Sequence, residues 1–575
     1  MLTPWGEALD KNAVLQEYPR PQLRRESFYN LNGVWDYAVT PSGDEPEVWD
    51  GEIVVPFSPE APLSGAARGP AKDEYLHYRR GFTLPEGFQK SRVLLHFGAV
   101  DQIAEVFVNG VSAAKHSGGY WPFSADITSL LREGENILRV TVRDNADDPT
   151  FAYGKQRYKR GGMWYTAQSG IWQTVWLESV PEVYVKSLRI TPEFDEARVR
   201  IELETALESS AAITCDVRAA DGSFVAGSWA KGGVCIVPLP GFRAWTPDDP
   251  YLYTLDITCG EDRVESYFAM RKFSYVELGG HKVFGLNNAP LFHNGLLDQG
   301  YYPDGLLTPP SDEAMVNDIE TMKRCGFNML RKHIKIEPLR WYYHCDRLGM
   351  IVWQDMVSGG QPYSFLHVSA LPTLGKVDLP DQDAKPYGRS GVLSRARFRR
   401  EMADTVRLLY NCPCIALWTV FNEGWGQFDA LDMANELKKL DPTRFIDHAS
   451  GWQDQGYEEM KSRHVYFRPV KLKNDGRALA LTEYGGYILA VDGHRWTDKV
   501  FGYRICRDSA ALAHDYEKLM LGQVLPHIRK EGLTAAVYTQ ITDVEEELNG
   551  LMTYDREVLK IPEETLREIN KQLKF

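Results

Sequence analysis

Two glutamates each close an apolar run and are followed within two residues by glycine. CIALWTVF leads into Asn422-Glu423-Gly424, and ALALT leads into Glu483-Tyr484-Gly485. A charge at the end of such a run does little for packing, and glycine lets the backbone turn sharply away from it. Two carboxyls of this kind are the inventory of glycoside hydrolysis. One is held protonated to assist the leaving oxygen, while the other is ionised and attacks the anomeric carbon. They stand about 5–5.5 Å apart if configuration is retained. Taken singly, either glutamate reads as a solvated strand end; taken together they point to chemistry. A third carboxylate, Asp355, closes MIVWQD and would bind a sugar hydroxyl or pair with a nearby cation.

These residues need a scaffold that gathers strand ends, and the last part of the chain has its texture. After about residue 280, helix-period segments alternate with short apolar runs. SDEAMVNDIETMKRCG opens on an N-cap serine with acidic first-turn residues and closes on glycine. Roughly eight βα units in about 295 residues predict a (β/α)₈ TIM barrel over 277–575, in which catalytic groups lie at the C-terminal strand ends. Glu423 would then close the fourth strand, Glu483 the seventh and Asp355 the third. The Pro/Gly/Ser-rich stretch 357–392 reads as a long loop on that same face.

Two β regions precede the barrel. LNGVWDYAV, SRVLLHFGAV, AEVFVNG and NILRVTVRD are short, β-branched and aromatic, with turn residues between them, and they predict a β-sandwich over 1–180. Its tryptophans, Trp121, Trp164, Trp172 and Trp176, read as core rather than as sugar platforms. A second strand series over 181–276 predicts an immunoglobulin-like sandwich, with the proline-broken WTPDDPYLYTLDI entering a strand edge.

At 575 residues, 43% hydrophobic and 25% charged, the chain is too long for one core, in keeping with three domains. The formal charge of −14 leaves no basic excess for phosphates, so neither nucleic acid nor an anionic membrane is expected as a partner. The eight cysteines lack paired zinc spacing, and no metal or other cofactor is expected. Free thiols and the want of a signal-like N-terminus or a membrane-length apolar run predict a cytoplasmic protein. Symmetric oligomers are common enough to leave a homo-oligomer open.

Asn422-Glu423-Gly424-Trp425-Gly426, Thr482-Glu483-Tyr484-Gly485-Gly486 and FNMLRKHIKIEP are similar to glycoside hydrolase family 2, which includes β-galactosidases, β-glucuronidases and β-mannosidases. The resemblance runs through nearly the whole chain. FGAVDQIAEVFVNG and SGIWQTVWLE resemble the family's N-terminal jelly roll, and WTPDDPYLYTL with FAMRKF its immunoglobulin-like domain. It implies double displacement, with Glu423 as acid and then base and Glu483 as nucleophile. Asn422 would bond the sugar 2-hydroxyl, and Arg331 would orient the nucleophile and lower its pKa. His333 would stand at the sugar subsite. Tyr466 would donate to the nucleophile or merely pack. Trp452 and Trp353 would stack on sugar or fill core, and Asp298, in the loop after the first strand, would bind hydroxyls.

The chain also departs from the family pattern. Asn411-Cys412-Pro413 stands where many members have His before Pro, and only 60 residues separate the two glutamates, leaving little room for elaborate fifth- and sixth-strand loops. The chain stops just after the barrel, so no further β domain is expected to build the site. The Asn-x-Lys pair with which family glucuronidases grip the sugar carboxylate is missing, though Lys332, Lys335 and Arg468 are cations that would substitute. The expectation is therefore a retaining exo-β-glycosidase acting on a small or oligomeric glycoside. β-Galactoside comes first, with glucuronide or galacturonide, mannoside and α-L-arabinoside as alternatives. A non-catalytic carbohydrate-binding protein would be expected to lose one of Glu423, Glu483, Arg331 or Asn422. A metal-dependent hydrolase would need a ligand spacing that His333, His448 and His464 do not show.

Overall fold

The computed structural model describes all residues except 208–211 and 375–377. The first domain is a sandwich of a four-stranded and a six-stranded antiparallel sheet. Inward residues on both sheets, including Trp35, Tyr78, Val93, Leu95, Val140 and Leu177, form one core. Val140 on Asn136–Arg143 stands opposite Tyr78 on one neighbouring strand and Val106 on the other, as the period of two requires. Trp121, Trp172 and Trp176 are buried, in line with the core reading. Trp164 is only partly buried and lies between domains, its ring edge against Trp425.

The second domain packs a three-stranded on a four-stranded sheet. Tyr253–Cys259 alternates strictly, with Tyr253, Leu255, Ile257 and Cys259 inward. Cys215, Cys235 and Cys259 act here as small core hydrophobes, and all eight cysteines of the chain are buried free thiols. Arg25 ties the two sandwiches together. It donates to Glu178 of the first (3.1 Å) and twice to Asp262 of the second (2.9 Å each) while buried.

The barrel has eight parallel strands: β1 (His293–Asp298), β2 (Met329–Lys332), β3 (Ile351–Asp355), β4 (Ile415–Thr419), β5 (Phe445–Asp447), β6 (Met460–Val465), β7 (Ala478–Gly485) and β8 (Leu533–Thr539). Their order is β5-β4-β3-β2-β1-β8-β7-β6. At the seam between β5 and β6, Ser462 Oγ donates to Asp447 (3.0 Å) and to the Ala449 carbonyl (3.1 Å). Beneath the barrel floor, Phe273, Phe284 and Leu286 of a small three-stranded sheet pack on Met329, Ile351, Trp353 and Phe445. The first barrel strand thus begins at His293, sixteen residues beyond the expected boundary of 277.

Helix α1 (Asp312–Arg324) starts as its sequence predicts, with Ser311 Oγ accepting from the Ala314 amide and Lys323 and Arg324 in its last turn. Helices also follow β2, β3, β4, β7 and β8, but among the described residues none follows β5 or β6. The expected eight-stranded TIM barrel is present, and only the helices after these two strands depart from eight full βα units. The linkers 448–459 and 466–477 carry Gly451, Gly456, Pro469 and Asn474-Asp475-Gly476, which break helical turns. The loop 357–392 holds short helical turns over 366–373, and its residues 375–377 lie outside the described ones. Among the described residues, no helix is long and apolar enough to cross a membrane.

Candidate active site

β4 ends at Thr419, and the chain then turns so that Glu423 takes a left-handed φ of +54°, an unusual state for a residue with a side chain. The turn is held in place: the Glu423 amide donates to the Ser450 carbonyl (2.9 Å) and the Trp452 indole donates to the Glu423 carbonyl (2.9 Å). Glu483 lies within β7, and its strand neighbour in register on β6 is His464. One oxygen of each carboxylate and a ring nitrogen of His464 lie within 4.8 Å of one another.

The two carboxylates have different surroundings. Glu483 accepts from Arg331 (3.1 Å) and from the Tyr466 hydroxyl (2.9 Å), and His464 Nδ1 stands 3.5 Å away. Glu423 accepts from His464 Nδ1 alone (2.8 Å) among these groups. Burial pushes the Glu423 carboxyl up to about 7, against the more distant charges of Lys155 and Arg331. Burial also raises Glu483; His464 and Arg331 pull it down, and the Glu423 charge pushes it up again. Arg331 acts on Glu483 in the lowering direction, but desolvation outweighs the ion pair and the net shift is upward. The donors are concentrated on Glu483, and they favour its charged form more than the single contact of Glu423 does. Burial lowers His464 to about 4, so it is neutral near pH 7.

Arg331, fully buried on β2, organises the floor of the site. Besides Glu483 it reaches Asp355 (Nε to Oδ1, 3.0 Å), the Thr482 carbonyl (3.0 Å) and Asn422 Oδ1 (2.8 Å). With its oxygen so engaged, Asn422 presents its NH₂ for another partner. Asp355 takes the cation-pairing role, accepting from Arg331 and from His333 (2.7 Å). Burial opposes its charge, but these contacts keep its carboxyl below the ordinary value. His333 is lowered by burial to about 3 and is neutral.

Tyr466 is brought to Glu483 and is braced by Thr539 (2.8 Å) and by stacking on Tyr503. Trp452 is half-buried, edge-on to His464. Two expected contributors are not brought to the pair. Asp298 is the last residue of β1 rather than part of the following loop, and its carboxylate is taken by Lys332 (2.6 Å) and the Gly300 amide (2.8 Å). Trp353 is core under the barrel. Lys332 and Lys335 also bond Glu337 (2.8 and 2.9 Å), and Arg468 is exposed.

His464 does not stand out as a site residue in the sequence, where its spacing to other histidines gives no pattern. The available signal is its position closing a strand two residues before Tyr466. Lys155 carries no sequence signal at all. It comes from the jelly-roll segment 145–168, which folds over the barrel mouth, Ala152 bridging to Gly359 in the loop after β3.

Comparison with known proteins gives three family-model matches in chain order. Residues 62–181 match glycosyl hydrolases family 2, sugar binding domain; 183–271 match glycosyl hydrolases family 2; and 309–471 match glycosyl hydrolases family 2, TIM barrel domain. A β-galactosidase of Thermoanaerobacter pseudethanolicus is 25% identical over 64% of this chain and 47% of its own length. A β-glucuronidase of Paenibacillus borealis is 22% identical over 82% of this chain and 85% of its own. The chain therefore spans about half the length of the β-galactosidase it matches. Among solved structures, a β-glucuronidase of an uncultured Clostridium sp. superposes with a TM-score of 0.76 at 19% identity, covering 96% of this chain and 99% of that one. A β-galacturonidase of Eisenbergiella tayi bound to galacturonate gives 0.71 at 18%, covering 97% and 99%. At these identities the structural likeness shows a shared fold.

Proposed function

The chain belongs to glycoside hydrolase family 2, and from that premise we propose that it is a retaining, exo-acting β-glycosidase. The observation that carries this reading is the Glu423–His464–Glu483 cluster, all within 4.8 Å, with its donors concentrated on Glu483. That separation supports retention, since inversion needs about 6.5–9.5 Å between carboxyls to admit a water.

In the first step Glu483 attacks the anomeric carbon while Glu423 passes its proton to the leaving oxygen, so the glycosidic bond breaks as the glycosyl ester forms. In the second, Glu423, now ionised, takes a proton from water. The water oxygen bonds to the anomeric carbon and the Glu483 carboxylate leaves. Asn422 donates its NH₂ to the 2-hydroxyl, Arg331 and Tyr466 hold Glu483 for attack, and His333 lines the sugar subsite. His464 positions Glu423. Segment 145–168 narrows the mouth to a pocket, which supports exo action. β-Galactosides and β-glucuronides, the substrates in the relatives' names, head the panel to be tested. The buried free thiols support a reducing, cytoplasmic setting.

The test is turnover of p-nitrophenyl β-glycosides by wild type, Glu423→Gln and Glu483→Gln, with and without EDTA. One glycoside should react, both variants should lose at least about 10³-fold in kcat, and chelation should change nothing. An unimpaired Glu483→Gln would remove the proposed nucleophile. Loss of activity on chelation would turn the same three side chains into a metal-site candidate.

A further inference from the structure

Lys155 reaches the barrel mouth from another domain and arrives without a partner. The residue is only 9% exposed. Among the described residues its ammonium has no hydrogen bond or ion pair, only the face of Trp164 at 5.6 Å. The edge of Trp164 meets Trp425 (centroids 5.0 Å, 86°), two residues beyond Glu423. The approach depends on Gly154: its φ is +62°, and a Cβ there would lie 2.8 Å from the carbonyl of Ile334, the residue after His333. Tyr153 and Gly154 amides donate to the Ser358 carbonyl (3.1 and 2.9 Å). From the far side, Glu545, Glu546 and Glu547 grip the same segment through the Thr166 amide (2.8 Å), the Gly162 amide (2.9 Å) and the Tyr165 hydroxyl. This Glu-Glu-Glu run in the loop after β8 therefore works as a staple between domains.

The three buried barrel cations nearest the site are committed, whereas Arg468 is exposed. Arg331 is held by Asp355 and Glu483, Lys332 by Asp298 and Glu337, and Lys335 by Glu337. Arg157, two residues on, lies over Trp164 at 4.3 Å, with a carboxylate no nearer than Asp147 at 3.9 Å. The carboxylates of Glu547 and Glu423 act on the Lys155 ammonium only at longer range; an enclosed ammonium without a directly paired anion is costly in a folded protein, and a ligand anion would relieve that cost. The charge of Lys155 is felt at Glu423 and His333 and, more weakly, at Glu483 and His464, which sets it on the same side of the barrel mouth as the two glutamates.

We propose that Lys155, delivered by the jelly-roll domain, binds a carboxylate of the glycoside, so that substrate class is read from outside the barrel. The inference rests on Glu423 and Glu483 being the glycosidase pair. It assigns a preference for an acidic glycoside to a chain that lacks Asn-x-Lys and displaces a neutral β-galactoside from first place.

The test compares kcat/KM of wild type, Lys155→Met and Lys155→Arg on three kinds of probe. They are p-nitrophenyl β-glucuronide and β-galacturonide, with the carboxylate on the sugar; p-nitrophenyl β-galactoside, neutral; and 4-carboxyphenyl β-galactoside, with the carboxylate on the leaving group. Lys155→Met should lose at least about 30-fold on whichever acidic probe uses the site, and at least tenfold less on the neutral one. Lys155→Arg should recover part of the loss. The acidic probe that suffers identifies the source of the carboxylate. Equal losses on acidic and neutral probes, or a wild type that prefers p-nitrophenyl β-galactoside to every acidic probe, would overturn the assignment. Calorimetric binding of free glucuronate and galacturonate gives a readout independent of turnover: unchanged affinity in Lys155→Met for both, with acidic glycosides unaffected, also overturns it. Failure of the underlying glycosidase reading looks different, because Glu483→Gln would then turn over every probe as wild type does.

Discussion

At the scale of single residues, the site works through an imbalance of donors. Glu423 and Glu483 are both taken out of water, which favours the protonated form of each. Arg331, Tyr466 and His464 then favour charge on Glu483, while Glu423 has one neutral imidazole. The difference has a measurable signature in stability. Glu423 keeps its proton to about pH 7 in the folded chain, against 4.5 for an ordinary glutamate. Between these values the folded state binds more protons than the unfolded, so wild-type stability falls as pH rises from 4.5 to 7 and levels off above. Glutamine does not titrate. Glu423→Gln should therefore be no more stable than wild type at pH 4, and more stable by about 1–3 kcal/mol at pH 7.5, read from urea midpoints. A flat difference across that range would remove the assignment of Glu423 as the group that stays protonated. In wild type the same titration should limit kcat/KM on the alkaline side, with an apparent pKa near 7.

At the scale of elements, the site is built where the barrel is least regular. The short linkers after β5 and β6, free of helices, carry Ser450, Trp452 and Tyr466, each bonded to the backbone or side chain of Glu423 or Glu483. Gly451 matters most among them. Its φ is +93°, and a Cβ would fall 2.6 Å from the His464 ring. Gly451→Ala should push that ring off Glu423, lowering kcat at least about tenfold and stability by about 1–3 kcal/mol. Steady-state kinetics and thermal unfolding check this together, and an unchanged kcat would show that His464 does not need the clearance that Gly451 leaves beside it.

At the scale of the molecule, three domains are joined by buried charge as well as by apolar contact. Arg25 is the clearest joint between the sandwiches, with Glu178 on one side and Asp262 on the other. Its removal leaves Asp262 without that cation and Glu178 dependent on Arg20. Arg25→Ala should lower the earliest unfolding transition by about 3 kcal/mol or more, while Arg24→Ala, an exposed pair on the same segment, should move it by less than about 1 kcal/mol. Equal effects would show that the junction rests on packing alone. The second joint, between jelly roll and barrel mouth, uses glutamates 545–547 and brings Lys155 into the pocket. Domain packing is thus part of the substrate-reading machinery as well as of stability.

Strand periodicity, turn residues and the two Glu-containing strand ends suffice to read the architecture and to set Glu423 and Glu483 at the same barrel mouth, because these signals are local: alternation, capping and a charge after an apolar run depend on near neighbours in the chain. The helix count does not follow from the same signals, since alternating texture does not reveal that the linkers after β5 and β6 are too broken to coil. What tertiary structure alone decides is which charges meet. Asp298 and Asp355 look alike at strand ends, yet one turns to Lys332 and the other to Arg331 and His333. His464 meets both glutamates because β6 pairs with β7, and Lys155 reaches the barrel mouth because a segment far earlier in the sequence folds back over it. Electrostatic energy depends on distance and burial, and neither is set by position along the chain.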